Sequence, residues 1–287
     1  MKFVRDDVAA VWGDSVLEEA FASEGEIYRD VAGRRTLRVK LGEKHYFLKL
    51  HYGVGWGEIL KNWLQFKRPV IGAENEYLAC SQLKEVGIQA PLPAAFQVEA
   101  GSIASRRSFV LCDELEGFVS LEDVTDPWPD APPDAKLKHH LLMRVADFAR
   151  QFHAEGFIHR DFYICHILAE VTALQQMRAD LAVLDLHRAR RFAEVPERWL
   201  LRDVAALIFS ALDLDFSMRD CLRFIRRYSD KPLKEELRSN GAFWTKVARR
   251  ADTLYREGTR KGIVKGRYQP DTLSAAIGNA VSAAEAR

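Results

Sequence analysis

Long uncharged apolar runs are missing from this chain. Nowhere do 18 apolar residues follow one another without a charge, so no transmembrane helix is expected. Cysteine is sparse: Cys80, Cys112, Cys165 and Cys221 are scattered with no CxxC pair, which excludes a disulfide framework and fits a reducing compartment. Net charge is nearly absent, 42 Lys and Arg against 41 Asp and Glu, so whole-chain charge selects no partner and no nucleic acid is expected. Internal repeats and low-complexity blocks are lacking too, which argues against a solenoid. The opening MKFVRDDVAAVWGDS carries acids where a secretory leader needs an apolar stretch, so a cytoplasmic protein is expected.

What is present is the composition of a soluble globular protein, 48% hydrophobic and 29% charged over 287 residues, long enough for one large domain or two lobes. Arg35–Leu41 and His45–Leu50 run apolar or alternating around a Gly42-Glu43-Lys44 turn and predict a β-hairpin. A helix is predicted from Gly72 to Val86, stopping at Gly87, and a short strand at Ser108–Leu111. The proline-rich Pro127–Pro133 can continue neither a helix nor a central strand and reads as a linker. After it, Leu137, Leu141, Val145, Phe148 and Phe152 recur about every four residues and predict a helix over Lys136–Ala154, closed by Gly156. Strands first and helices after predict an α+β chain in two lobes, 1–120 small and β-rich and 121–261 larger and helical, with a loosely ordered tail over 262–287. Between Arg219 and Arg267 stand 15 Lys and Arg against 6 Asp and Glu, a local net charge of +9 that suits either a solvated face or an anionic partner.

The chemistry concentrates in His159-Arg160-Asp161-Phe162-Tyr163-Ile164-Cys165-His166, followed by the apolar strand Leu181–Leu184 that delivers Asp185. A loop carboxylate and a strand-end carboxylate in this order are how kinase-like folds place a base for an attacking hydroxyl and a ligand for Mg²⁺. Lys49, inside the second hairpin strand, is positioned to hold ATP phosphates, and Glu76 in the next helix to pair with it. Asp203 lies in an apolar helix where an unpartnered carboxylate would be costly, so it is expected to accept backbone N–H groups of the His159–Arg160 loop. His166, five residues after Asp161, is a candidate metal ligand or hydrogen-bond partner, with a structural histidine nearly as plausible. The spacings of His153, His159, Cys165, His166 and His187 match no zinc motif. No GxGxxG precedes Lys49 and no Ala-Pro-Glu follows Asp185, which favours a small-molecule or glycan kinase over a regulated protein kinase.

These segments resemble the bacterial lipopolysaccharide core heptose(I) kinases, the WaaP (RfaP) family within the protein-kinase-like superfamily. The resemblance runs over about residues 27–256. It is carried by Gly33–Arg38, Tyr46–Lys49, Gly55–Asn62, Pro69–Glu76, His159–His166, Leu184–Ala189 and Asp203–Leu207. It implies a two-lobed kinase fold and ATP- and Mg²⁺-dependent phosphorylation of the first heptose, at its 4-hydroxyl, on a lipid-linked core oligosaccharide at the inner face of the inner membrane. By the same resemblance Asp161 is the base, Lys49 the nucleotide ligand and Asp185 the metal ligand. It also implies tyrosine phosphorylation and acyl carrier protein as a partner, neither of which follows from the residues themselves. Trp56, Lys61, Trp63, Phe66, Lys67 and Arg68 would suit that acidic partner, a lipid surface, or simple packing of an amphipathic helix. A protein tyrosine kinase and a membrane-associated pseudokinase scaffold stand as the alternatives.

Overall fold

Two units divide the chain: Met1–Glu116 with Asp185–Ala189, and Gly117–Leu184 with Arg190–Arg287. The computed structural model describes residues 1–31, 33–53, 72–102, 106–176 and 178–286. The Trp56–Arg68 cluster and the 55–62 and 69–71 parts of the resemblance lie outside the described residues.

The first unit is a six-stranded antiparallel sheet in the order β1-β5-β6-β4-β3-β2. Its strands are β1 (Lys2–Val4), β2 (Glu26–Val31), β3 (Arg34–Leu41), β4 (Lys44–His51), β5 (Pro93–Val98) and β6 (Ser108–Asp113). The expected hairpin is β3–β4, one residue longer at each outer end than the apolar pattern reached. Helices α1 (Asp6–Trp12) and α2 (Val16–Ala22), which the polar N-terminus gave no sign of, cover one face. Val8, Trp12, Val16 and Leu17 pack there on Leu37, Val39, Tyr46, Leu48, Leu50, Phe109 and Leu111. Successive side chains of a strand point to opposite faces, so Lys49 between Leu48 and Leu50 faces the other way. That second face is met by α3 (Glu74–Glu85), whose Tyr77 stacks on Phe96 of β5 with ring centroids 4.4 Å apart.

The second unit is largely helical. Its small sheets join β7 (Phe118–Ser120), β9 (Ile167–Glu170) and β10 (Leu181–Val183), and β8 (Phe157–Ile158) with β11 (Arg190–Arg191). The helices are α4 (Leu121–Thr125), α5 (Ala135–Ala154), α6 (Val171–Gln175), α7 (Glu197–Ala211), α8 (Met218–Ser229), α9 (Leu233–Arg260) and α10 (Thr272–Glu285). Asp134 caps α5, accepting from the Lys136 N–H at 2.7 Å. Of the apolar stripe predicted for α5, Leu141, Val145, Phe148 and Phe152 are buried and Leu137 half-buried, and Phe152 stacks on Phe162 just beyond Asp161, rings 11° from parallel. Gly156 ends the turn after α5 at φ 86°, and any side chain there would strike the Phe192 carbonyl oxygen.

Residues 262–287, expected to be loosely ordered, instead carry α10, packed on α9 through Leu273, Ile277 and Ala284. Two carboxylates from earlier helical segments tie this return down. Asp213 accepts the backbone N–H groups of Lys265, Arg267 and Tyr268 at 2.8, 3.0 and 3.1 Å. The fully buried Asp252 accepts from the Tyr268 hydroxyl at 2.5 Å and the Ser274 N–H at 3.2 Å. A composition of Gly, Ala and Ser does not reveal anchors lying elsewhere in the chain.

Candidate active site

In the first unit a small charged set forms on the α3 face of the sheet. Lys49 Nζ lies 2.5 Å from Glu76 Oε1 and 3.1 Å from Asp185 Oδ1. The Tyr77 stack on Phe96 fixes the first turn of α3, and with it the direction of Glu76. The segment Asp185–Ala189 groups with this unit although sequence order placed it in the second. Asn75, one residue before Glu76, holds it by donating to the backbone carbonyls of His187 and Ala189, both at 2.9 Å. Asp185 itself has φ 55°, a left-handed conformation that short polar side chains tolerate better than most residues.

The electrostatics keep Lys49 and Asp185 ionised. Burial alone would strip Lys49 of its proton, but the carboxylates of Glu76 and Asp185 hold its pKa above the ordinary lysine value. Burial would likewise raise Asp185, yet the hydrogen bond from His187 Nδ1 at 2.8 Å and the Lys49 charge hold it far below the usual carboxylate range. Arg34 Nη2 stands 3.9 Å from the same oxygen. His51, in register with Arg34 across the hairpin, is 3% exposed. Burial and the neighbouring Arg34, Lys49 and His187 push its pKa down to about 3, so the ring is neutral. Among the described residues His51 Nε2 and Glu76 Oε2 are buried without a hydrogen-bond partner. The set offers an ionised carboxylate to a cation, and Lys49 and Arg34 to an anion. No group of three or more His, Cys, Asp or Glu among the described residues is arranged to hold a metal unaided. Magnesium is bound through one or two carboxylates together with waters and substrate phosphates, so the single carboxylate of Asp185 fits it.

In the second unit the loop His159-Arg160-Asp161 leaves β8 and is gripped by Asp203 of α7. The buried Asp203 carboxylate accepts the backbone N–H of His159 at 2.5 Å and of Arg160 at 2.8 Å. Arg160 needs that grip, because its φ of 73° is a left-handed conformation costing a non-glycine residue about 1–2 kcal/mol. His153 brings Nε2 to 3.6 Å from Asp203 and its Nδ1 to 2.8 Å from the Tyr228 hydroxyl. Burial, with the charges of Asp203 and Glu236, pushes the Tyr228 pKa up.

The histidine tautomers follow from their partners. A carbonyl can only accept, so His159 Nε2 carries the proton given to the Leu184 carbonyl at 2.7 Å. Its Nδ1 then accepts the Asp161 N–H at 3.3 Å. Burial lowers the His159 pKa to about 4, as that neutral form requires. His166 Nδ1 donates to the Asp161 carbonyl at 2.7 Å. The two imidazoles stack, 17° from parallel with centroids 5.4 Å apart. The half-buried Asp161 therefore sits in a backbone held on both sides by rings and from beneath by Asp203.

Thus Lys49, Glu76 and Asp185 come together in one unit, and His159, Arg160, Asp161, His166 and Asp203 in the other. Sequence reading gave no role to Arg34, His51, Asn75, Tyr228 or Trp199, and weighed His153 and His187 only for zinc. A signal existed for His51, two residues beyond Lys49 and hence on the same sheet face.

A strand-borne lysine paired to a helix glutamate, a carboxylate at a strand end and a braced loop aspartate define a phosphotransferase of protein-kinase-like fold, with a sheet lobe and a larger helical lobe. The profile of the lipopolysaccharide kinase (Kdo/WaaP) family matches residues 18–228. The lipopolysaccharide core heptose(I) kinase WaaP of Pseudomonas aeruginosa is 40% identical over 253 residues, 87% of this chain and 94% of its own. The enzyme of that name from Escherichia coli is 35% identical over 262 residues, 91% and 99% of the two chains. The solved structure of WaaP in complex with acyl carrier protein superposes with a TM-score of 0.76 at 33% identity, covering 89% of this chain and 99% of that one. The chain belongs to the lipopolysaccharide kinase (Kdo/WaaP) family, and as a kinase it takes its phosphate from ATP. No helix among the described residues is long and apolar enough to cross a membrane.

Proposed function

We propose that this protein transfers the γ-phosphate of ATP to the 4-hydroxyl of the first heptose of a lipid-linked lipopolysaccharide core. Identity with heptose(I) kinases across nearly their whole length supports the acceptor. The observation that carries the chemistry is the pair of preorganised sets: Lys49 held by Glu76 beside Asp185, and Asp161 in a loop fixed by Asp203. In this reading Asp161 orients the sugar hydroxyl and takes its proton as the oxygen bonds to phosphorus and the bond to ADP breaks. Lys49 neutralises phosphate charge, and Glu76 keeps its amine from swinging away. Asp185 would hold Mg²⁺, with His166 as a second candidate ligand; such an ion would neutralise charge on the transferred group. Magnesium prefers oxygen, so the Asp185 carboxylate is the principal ligand and His166 serves chiefly through the Asp161 carbonyl. The test is incubation of the purified protein with ATP, Mg²⁺ and a heptosylated core lipid lacking phosphate. One phosphate located by ³¹P NMR at the 4-position of the first heptose is expected, and transfer to tyrosine peptides at equal kcat/KM would overturn the acceptor assignment.

Acyl carrier protein is proposed as a partner, since a relative was solved in complex with it. A second observation favours it. The second unit carries a largely apolar, partly open cavity of about 180 Å³ lined by residues such as Leu141, Val145, Leu207, Phe224, Trp244 and Ile277, the chemistry that suits a carrier's fatty acyl chain. The +9 segment Arg219–Arg267 suits an acidic carrier or peripheral contact with the inner face of the inner membrane. Intact-mass analysis of protein purified under native conditions should find an acylated carrier; a purified protein that is active and monomeric without one would remove it.

A further inference from the structure

Three guanidinium groups converge on a single indole beside the Asp161 loop. The Cζ atoms of Arg202, Arg160 and Arg198 lie 5.0, 5.2 and 5.8 Å from the ring centroid of Trp199, all within cation–π range. Their placement is tied to the loop. Trp199, Arg202 and Asp203 sit three and four residues apart on the first turns of α7, so they share a face. From that face Asp203 accepts the Arg160 N–H. Holding the loop therefore also fixes the indole and its cations against Arg160, the residue before Asp161.

The charges on that face are unbalanced. Arg198 and Arg202 are exposed and have no ion pair or acidic hydrogen-bond partner among the described residues. Glu197, the acid beside Arg198 in the chain, is turned to Lys246 Nζ at 3.2 Å. Holding Arg198 and Arg202 close together on one aromatic ring with no acid of their own is unfavourable, and an arriving anion relieves it. A planar guanidinium stacked on a ring also loses little further freedom when its N–H fork engages a phosphate or carboxylate.

We propose that Arg198 and Arg202, braced on Trp199, form an anion-recognition subsite that binds phosphate or carboxylate groups flanking the acceptor hydroxyl and so orients the glycolipid toward Asp161. This rests on the reading of the acceptor given above and names what in it the enzyme recognises. The subsite contributes to acceptor binding and leaves ATP affinity untouched.

The test is the double variant R198Q/R202Q, which keeps good helix formers at both positions. Equilibrium binding of the core glycolipid is measured without ATP, so the result does not depend on transfer. Each exposed charge pair contributes a few-fold, so losing both should weaken binding about tenfold. That loss should vanish on the same glycolipid stripped of phosphate and carboxylate groups, while the Kd for ATP stays as in the unmodified protein. Equal affinities of the two proteins, equal losses on intact and stripped glycolipid, or equal losses on anionic phospholipid vesicles bearing no core sugar would each overturn the subsite. Phosphate transfer by the unmodified protein is scored separately, so failure of the acceptor reading is told apart from failure of the subsite.

Discussion

In the first unit the candidate site is made of opposite charges in contact, whereas in the second a charge is answered by backbone amides. Lys49, Glu76 and Asp185 satisfy one another through ion pairs of 2.5 and 3.1 Å. Ion pairs of this kind can be exchanged for contacts with a charged substrate, so this set is ready to rearrange. Asp203 instead spends both oxygens on the N–H groups of His159 and Arg160 and holds a left-handed residue in place. Such a brace has no alternative partner to offer, so that loop is built to stay fixed. The contrast matches what phosphoryl transfer needs: adaptable charge for the nucleotide and a rigid base for the hydroxyl.

The largest stability effect should come from removing the brace. Asp203→Ala leaves two N–H groups buried without acceptors, and we expect a loss of at least about 3 kcal/mol in urea unfolding with activity abolished. Asp203→Asn, keeping one oxygen, should fall between. Near-native stability of the alanine variant would mean the loop is held by something else.

Breaking the other half should spare the fold more than the function. Lys49→Met is expected to lower kcat/KM for ATP by about 10²–10³-fold. It should also cost stability that depends on acid. Asp185 is held below its unfolded pKa, so its bond to Lys49 contributes fully above about pH 4 and is lost as pH falls further. The stability gap between Lys49→Met and the unmodified protein should therefore narrow below about pH 4; a constant gap would show that Asp185 gains nothing from the lysine.

Each unit also keeps one buried histidine neutral, and this sharpens the comparison. His159 titrates near 4 and His51 near 3, both below the value of about 6.5 in an unfolded chain. A lowered folded pKa gives stability that is complete above pH 6.5 and is lost on acidification, roughly 2 kcal/mol from each ring between pH 7 and pH 5. Urea titrations at the two pH values measure the sum, and a flat profile would contradict both assignments. The smallest effect belongs to Asn75→Ala, which removes the donor to the His187 and Ala189 carbonyls. It should cost about 1–2 kcal/mol and raise the KM for ATP several-fold; an unchanged KM would separate Asn75 from the positioning of Asp185.

How much of this was legible in the sequence differs between the halves in the same physical way. The hairpin, α5 and the two acidic motifs follow from periodicity and local spacing, which short segments record. The buried position of Asp203 was readable because a carboxylate in the apolar stretch Val204–Leu207 demands partners. The N-terminal helices α1 and α2 were not, since Val8, Trp12, Val16, Leu17 and Ala20 mark their buried side in short segments rich in acids. The helical tail escaped because its anchors, Asp213 and Asp252, belong to other helical segments. The grouping of Asp185–Ala189 with the first unit depends on Asn75, more than a hundred residues earlier in the chain, and no local pattern records such a bond.

The measurement that bears most directly on the account is the kcat of Asp161→Ala on a heptosylated core lipid with saturating ATP, alongside its affinity for ATP. Removal of a positioned base should lower kcat by about 10²–10⁴-fold while ATP binds as before. Turnover within a few-fold of the unmodified protein would contradict Asp161 as the group that takes the hydroxyl proton.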